Sequence, residues 1–139
     1  MSRSGYTEDC DEQWQYALWR GTVASSLRSK RGQAALKELL AALDSMPAQR
    51  LVADELEVDT GMPFHRGDVC ALGALGKARG MDLSGLDPED TETVAGAFNL
   101  SEPMTREIEW INDEAGYYRE TPEQRFTRVR KWVAAMIKT

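Results

Sequence analysis

The sequence predicts a mainly α-helical fold, a single compact domain of about five to six helices with a possible small β-hairpin. Apolar residues recur every three or four positions through most of the 139-residue chain, which is the spacing of helices with one buried face. Residues typical of helix starts and stops separate these segments. Hydrophobic residues make up 42% of the chain, enough for one core, and the length suits one domain.

The N-terminal region is predicted to contain a tail and a first helix. Residues 1–10 are mostly polar and lack a periodic apolar face, so we expect a flexible tail there and a helical domain over residues 11–139. The first helix begins at about Asp11. Small or apolar residues at helical spacing predict its buried face, namely Trp14, Ala17, Leu18, Gly21, Ala24 and Leu27.

A second helix follows Gly32 and should end before Pro47, because proline interrupts helices. Its apolar stripe is the most regular in the chain. The stripe consists of Leu36, Leu39, Leu40, Leu43 and Met46.

The middle of the chain has a different pattern. Short apolar pieces between residues 51 and 71, separated by glycine and proline, favour a small β-hairpin. The segment 71–78 is predicted to be a helix that stops at Gly80. Within it, Gly73 and Gly76 would allow close packing against a neighbouring backbone.

Two further helices are predicted between residues 87 and 116. Asp87 caps the first, with Pro88 at its first position, and this helix should run to Phe98. Asn99 can end it in a left-handed conformation, and Ser101 can cap the next helix. The apolar stripe of that helix is Met104, Ile108 and Ile111, with Trp110 alongside, and Gly116 ends it.

The last predicted helix begins with a capping box. In the run Thr121-Pro122-Glu123-Gln124, the Thr and Gln side chains can each satisfy a backbone N–H at the helix start, and proline favours the first helical position. An apolar stripe follows as far as Ile137. We expect Phe126 and Trp132 in this stripe to be buried core residues.

The sequence contains no recognisable catalytic or metal-binding motif. Its single histidine, His65, lies in a Gly- and Pro-rich segment without a nucleophile elbow, so an enzyme with an unfamiliar site around His65 is the least favoured interpretation. The sequence around Lys77 lacks the residues of a phosphate-binding loop. Cys10 and Cys70 lack the spacing of a zinc site or a disulfide framework. We therefore expect neither enzymatic activity nor a cofactor.

Charge is unevenly distributed along the chain. Seventeen basic and 23 acidic residues give a net charge of −6, which disfavours contact with nucleic-acid phosphates or anionic membranes. Ten acidic and two basic residues lie between Asp87 and Glu120. We interpret this excess as a surface that binds a basic protein, and lysine substitutions there should leave the fold intact. The predicted contact residues are Asp54, Glu55, Glu57, Glu102, Glu107, Glu109, Asp113 and Glu114.

Two alternatives to this acidic surface remain open. In the first, acidic and basic segments pack together and partly neutralise each other. In the second, the chain is a DNA-binding or transcription-regulatory helical domain, since residues 94–101 and the helix after them have the outline of a helix-turn-helix. The excess of acids on that helix disfavours nucleic acid as a partner. The basic clusters available for DNA are Arg28, Lys30 and Arg31, and Arg125, Arg128, Arg130 and Lys131.

Three runs carry a resemblance to a group of known proteins: residues 69–76, residues 111–114, and the ending from Thr121 to Val133. In these, the chain resembles small accessory proteins of unknown function encoded by bacteriophages and prophages, over roughly Trp19 to Ile137. The resemblance implies an inhibitor or adaptor that acts on a host protein, for example an anti-CRISPR-like inhibitor of a nucleic-acid-binding defence complex. We expect it in the host cytoplasm, because neither a signal-peptide core nor a run of about 20 apolar residues is present.

Overall fold

The computed structural model describes residues 3–4, 13–58, 67–116 and 119–138. The predicted mainly helical fold is confirmed over these ranges. They contain six α-helices: α1 (Gln13–Arg28), α2 (Lys30–Asp44), α3 (Ala71–Ala78), α4 (Thr91–Phe98), α5 (Glu102–Asp113) and α6 (Pro122–Met136). None of these helices has both the length and the apolar character required to cross a bilayer.

The helices pack around one hydrophobic core and form a single compact domain. Helix α2 packs against α1, α3 and α6, while α5 packs against α1, α3, α4 and α6. The predicted stripe of α2 is confirmed by Leu36, Leu39 and Leu43, each at most 1% exposed. Phe126 of α6 is buried as predicted, whereas Trp132 is only partly buried and packs against the core.

Side chains at the helix starts satisfy backbone N–H groups that have no partner within the helix. At the start of α2 the Ser29 side chain accepts a hydrogen bond from a backbone N–H at 3.0 Å, and Ser101 does the same for α5 at 3.2 Å. The predicted capping box of α6 is confirmed. Thr121 and Gln124 each accept a hydrogen bond from the backbone N–H of the other.

The start of α4 differs from the prediction. Asp90, not Asp87, is the N-cap, and its Oδ1 accepts a hydrogen bond from a backbone N–H in the first turn at 3.2 Å. Asp87 instead accepts a hydrogen bond from Glu89 N within a preceding turn. Aspartate is a good cap at either position, so residue type alone did not decide between them. The predicted end is confirmed, since Asn99 is left-handed with φ of 55°.

The predicted buried face of α1 is confirmed at Leu27, but the first turns of the helix direct a different face to the core. Val23 and Leu27 are buried, and Trp19 packs against the core. Trp14 and Leu18, which the sequence placed on the buried face, are 59% and 64% exposed. Two apolar stripes overlap on this helix, and polar contacts to α5 favour the stripe that contains Trp19.

The segment predicted as a hairpin contains no β-strand within the described residues. An isolated antiparallel bridge joins Glu57 and Val69, and two backbone hydrogen bonds flank it. The pairing is therefore limited to one bridge. Residues 59–66, which include His65, lie outside the described residues.

Two glycines allow α3 to pack closely, as predicted. A Cβ atom on Gly73 would overlap the carbonyl oxygen of Leu56, and one on Gly76 would lie 2.7 Å from the Leu83 side chain. Larger residues at either position would push α3 away from its neighbours.

The substitution Gly73→Ala should lower the free energy of unfolding by about 1–3 kcal/mol, because the added methyl group meets a backbone carbonyl. Gly96→Ala is the matched control. A Cβ atom on Gly96 would meet no atom within 4 Å, so this variant should be unchanged or more stable by up to about 1 kcal/mol. Urea unfolding measures both, and equal stability of the two variants would contradict the close packing of α3.

Candidate functional site

The structure divides the eight predicted contact residues between the interior and the surface. Glu107 and Glu109 are 2% and 0% exposed, and the Asp113 side chain is 3% exposed. Helix α5 buries them because it packs against four other helices. The prediction of an exposed acidic face is wrong for these three residues. The remaining predicted residues are exposed or partly exposed: Asp54, Glu55, Glu57, Glu102 and Glu114.

Glu107 is neutralised by an arginine of α1. Arg20 donates two parallel hydrogen bonds to the Glu107 carboxylate, of 2.6 and 2.9 Å. At the adjacent positions, the Arg106 guanidinium lies 5.9 Å from the centre of the Trp19 ring, a cation–π distance. These contacts fix α1 on α5. Lysine at position 107 would place a buried positive charge next to Arg20, so we expect charge reversal there to disrupt the fold.

Arg3 pairs with Asp113 and also lies close to Glu109. The Arg3 residue is 3% exposed, and its Nη2 donates a hydrogen bond of 2.9 Å to Asp113 Oδ1 while Nε donates to Oδ2. Arg3 Nε lies 3.7 Å from Glu109 Oε2. Ser4 is also buried. The predicted flexible tail over residues 1–10 is therefore wrong for these two residues.

The backbone around Arg3 is bound as well as its side chain. Thr91 Oγ1 donates a hydrogen bond of 2.9 Å to the carbonyl oxygen of Arg3, and Arg106 Nη1 donates one of 2.8 Å to that of Ser4. The Ser4 hydroxyl donates to Glu114 Oε2 at 2.6 Å. Both residues are thus held by side chain and main chain. The residues that hold them, which we call the arginine pocket, are Thr91, Arg106, Glu109, Asp113 and Glu114.

Neighbouring groups hold Asp113 in the geometry that binds a guanidinium. Its Oδ1 accepts hydrogen bonds from Asn112 Nδ2 at 2.8 Å and from the backbone N–H of Asp54 at 3.1 Å. Asn112 is fully buried and its Oδ1 accepts a hydrogen bond from Ala71 N. Asp54 has a left-handed φ of 67°, which aspartate tolerates better than most residues. The carboxylate therefore has support that is independent of Arg3.

Glu109 is the least satisfied member of the pocket. Burial raises its pKa to about 7, although the charge of Arg3 and the hydrogen bond to Thr91 lower it. Thr91 Oγ1 has one proton for two acceptors, the Arg3 carbonyl oxygen at 2.9 Å and Glu109 Oε1 at 3.2 Å. A proton on Glu109 would let it donate to Thr91 instead. Within the described residues, Glu109 Oε2 and Arg3 Nη1 have no hydrogen-bond partner.

The chemistry available at this site is recognition of a guanidinium and the peptide attached to it. A carboxylate with two oxygens in one plane matches the parallel N–H groups of arginine, which lysine lacks. In the ranges that the structure describes, no three His, Cys, Asp or Glu side chains are grouped to hold a metal ion. Cys70 is a buried free thiol whose sulfur caps α3.

A second acidic feature lies on the surface, between α3 and α4. We call residues 82–92 the acidic connection. No lysine or arginine occurs from residue 80 to residue 105. Hydrogen bonds from Ser84 and Thr93 hold the pKa values of Asp82 and Asp90 below their usual range. The acidic side chains of the acidic connection are all exposed and form no ion pair with a described residue: Asp82, Asp87, Glu89, Asp90 and Glu92.

Ion pairs neutralise part of the predicted basic clusters. Arg125 and Arg128 both contact Glu120, at 3.4 and 2.6 Å. Arg130 lies 2.5 Å from Asp44. The other four residues are exposed and form no ion pair with a described residue: Arg28, Lys30, Arg31 and Lys131. The second alternative, DNA binding through these clusters, stays a prediction.

Comparisons with known proteins do not assign a function to this chain, so a proposal has to start from the geometry described above. No family model, curated protein or solved structure shows significant similarity to this chain. The resemblance to bacteriophage accessory proteins therefore stays a prediction. The features that a functional proposal has to explain are the arginine pocket, the acidic connection and the exposed apolar face of α1.

The raised pKa of Glu109 predicts how stability depends on pH. Because the folded protein keeps a proton on Glu109 up to about pH 7 and the unfolded chain releases it near 4.5, stability should fall as the pH rises through this window. The loss should approach about 3 kcal/mol between pH 5 and pH 8. Glu109→Gln, which titrates no proton, should show a flatter profile. Urea unfolding at several pH values makes the comparison, and parallel profiles would contradict the protonation of Glu109.

Proposed function

We propose that this chain is a non-enzymatic accessory protein that binds a basic surface of a partner protein and acts as an inhibitor or adaptor. The proposal is carried by the acidic connection, whose exposed carboxylates form no ion pair with a described residue. Unpaired surface charges of one sign attract a partner of opposite sign and accelerate encounter. The contact residues proposed here differ from the predicted set, because α5 directs several of its carboxylates inward.

The carboxylates of the acidic connection are suited to contact a cation. Asp82 and Asp90 accept hydrogen bonds that favour their ionised form, so they carry full charge at neutral pH. Because they form no ion pair with a described residue, a partner would not have to break one in order to bind. Glu57 and Glu102, by contrast, are already paired with Lys77 and Arg106.

The exposed face of α1 supports a protein partner rather than a nucleic acid. Trp14 and Leu18, one turn apart on the same face, are 59% and 64% exposed, and Tyr16, on a different face, is 44% exposed. Aromatic residues are enriched at the centre of protein interfaces, where they bury a large area. An apolar helix face and an uncompensated acidic segment are both unfavourable for contact with a phosphate backbone.

The resemblance noted in the sequence gives the class of partner. If the chain acts in a phage-infected bacterium, the partner is a host protein with a basic surface. Proteins that bind nucleic acids have such surfaces, and an acidic competitor could occupy them, as an anti-CRISPR-like inhibitor would. This part of the proposal rests on the resemblance and not on the geometry.

Neutralising the acidic connection tests the proposal. The triple variant Asp87→Asn, Glu89→Gln and Glu92→Gln should keep the fold, since these side chains are exposed, and should capture less partner from bacterial lysate, as measured by mass spectrometry. Binding by the parent protein should also weaken between 50 and 500 mM salt, because salt screens exposed charges.

A control with the same change in net charge separates local contact from overall charge. Ala34→Lys, Ala41→Lys and Ala134→Lys add three positive charges at exposed positions of α2 and α6. This control should capture the partner nearly as well as the parent protein. Equal capture by the parent and the neutralised variant would refute the proposed role of the acidic connection.

A further inference from the structure

We propose that the arginine pocket is a binding site for an arginine-bearing segment of the partner, and that the chain's own Arg3 and Ser4 occupy it until that segment replaces them. The inference rests on the proposed function in one respect, that the partner is a basic protein. It adds the kind of segment that is recognised, an arginine followed by a small hydroxyl residue. It also adds a mode of regulation, in which Arg3 and Ser4 of the chain compete with the partner for the pocket.

The contacts in the pocket are those of peptide recognition. Asp113 accepts two hydrogen bonds from the guanidinium. Thr91 and Arg106 donate hydrogen bonds to two successive carbonyl oxygens. Carbonyl oxygens occur in every peptide, so these two contacts do not depend on which chain supplies the arginine. Glu114 adds a preference for a hydroxyl group at the next position, where it accepts the Ser4 proton.

The chain's own arginine fills the site incompletely. Arg3 and Glu109 are both buried, yet Arg3 Nη1 and Glu109 Oε2 lack hydrogen-bond partners among the described residues. Arg3 Nε is 3.7 Å from that carboxylate oxygen, too far for a hydrogen bond. A buried polar atom without a partner is costly. An arginine from another chain, whose backbone is not tied to this one, could place its guanidinium to donate to Glu109 Oε2 as well. It could therefore compete with Arg3.

The pocket is also preorganised to receive an arginine. Asn112 Nδ2 and the backbone N–H of Asp54 both donate to Asp113 Oδ1 and hold this carboxylate. Asn112 is itself held by hydrogen bonds with Ala71 N and Val52 O. A site whose groups are fixed before binding loses little entropy when a ligand enters. Exchange of one arginine for another therefore needs no rearrangement of the helices.

The acidic connection borders the pocket. Thr91, which binds the Arg3 carbonyl, is the first residue of α4 and lies between Asp90 and Glu92 in the chain. Those exposed carboxylates would raise the local concentration of an arginine-rich segment near the pocket. The surface that attracts a basic partner and the pocket that accepts one side chain are thus adjacent.

A peptide with the sequence of residues 1–6, labelled with a fluorophore at its C-terminus, provides the test. We expect the Arg3→Ala variant to bind this peptide at least tenfold more tightly than the parent protein, whose pocket is occupied. A peptide with lysine in place of arginine should bind at least tenfold more weakly, because lysine cannot form the paired hydrogen bonds. Asp113→Asn added to Arg3→Ala should abolish binding.

Thermal melting of the Arg3→Ala variant provides a second measurement if the variant is too unstable for the binding assay. Removing Arg3 leaves the buried Asp113 carboxylate without its arginine, so this variant is expected to lose stability. Excess arginine peptide should then raise its melting temperature or restore a cooperative transition, and the lysine peptide should not. The inference is overturned if the arginine peptide neither binds nor stabilises the variant, or if the parent protein binds it as tightly as the variant does.

The outcomes of the two sets of experiments can be told apart. Peptide binding involves only this chain and a synthetic ligand, so it does not depend on the partner or on the acidic connection. If the neutralised variant captures less partner from lysate but the peptide does not bind, the proposed function is supported and this inference is wrong. Peptide binding with unchanged lysate capture would retain the pocket and remove the acidic connection as the docking surface.

Discussion

The fold depends on the need to neutralise carboxylates that α5 carries into the interior. Glu107, Glu109 and Asp113 lie on a helix that packs against four others, and a buried carboxylate without a partner is strongly destabilising. Arg20 meets this requirement for Glu107 and thereby fixes the position of α1. Arg3 meets it for Asp113 and brings the N-terminal residues onto α4 and α5. Two elements distant in sequence are thus placed by charge as well as by apolar packing.

Much of the helical architecture could be predicted because its signals are local. The α2 stripe, the Thr121 capping box and the left-handed Asn99 depend on residues a few positions apart, and all three are confirmed. The α1 face could not be chosen in this way, because two apolar stripes overlap on that helix. The choice depends on contacts of Trp19 and Arg20 with α5, more than 80 residues away.

The acidic residues were misplaced for a related reason. Charged residues are usually exposed, so an acid-rich segment is read as surface. One signal in the sequence pointed the other way: Glu107 lies three residues after Met104 and four before Ile111, within the apolar stripe of α5. No local pattern identifies Arg3 as the partner of Asp113, since 110 residues separate them. The absence of bases from residue 80 to residue 105 was visible in the sequence and marks the acidic connection.

The acidic residues thus form two groups, those that maintain the fold and those that are available to a partner. The carboxylates of α5 maintain the fold and, in the arginine pocket, define the kind of side chain that the site accepts. The carboxylates of the acidic connection form no ion pair with a described residue and lie beside that pocket. The chain's own Arg3 is therefore both a structural element and an indication of the ligand chemistry.

A double-mutant cycle measures how strongly Arg3 and Asp113 stabilise each other in the folded protein. The free energies of unfolding of the parent, Arg3→Ala, Asp113→Ala and the double variant give the coupling energy of the pair. A buried bidentate pair predicts a coupling of about 1.5–3 kcal/mol, because each single variant leaves the other charge buried and unpaired. A coupling below about 0.5 kcal/mol would show that Arg3 does not neutralise Asp113 and would contradict this account of the fold.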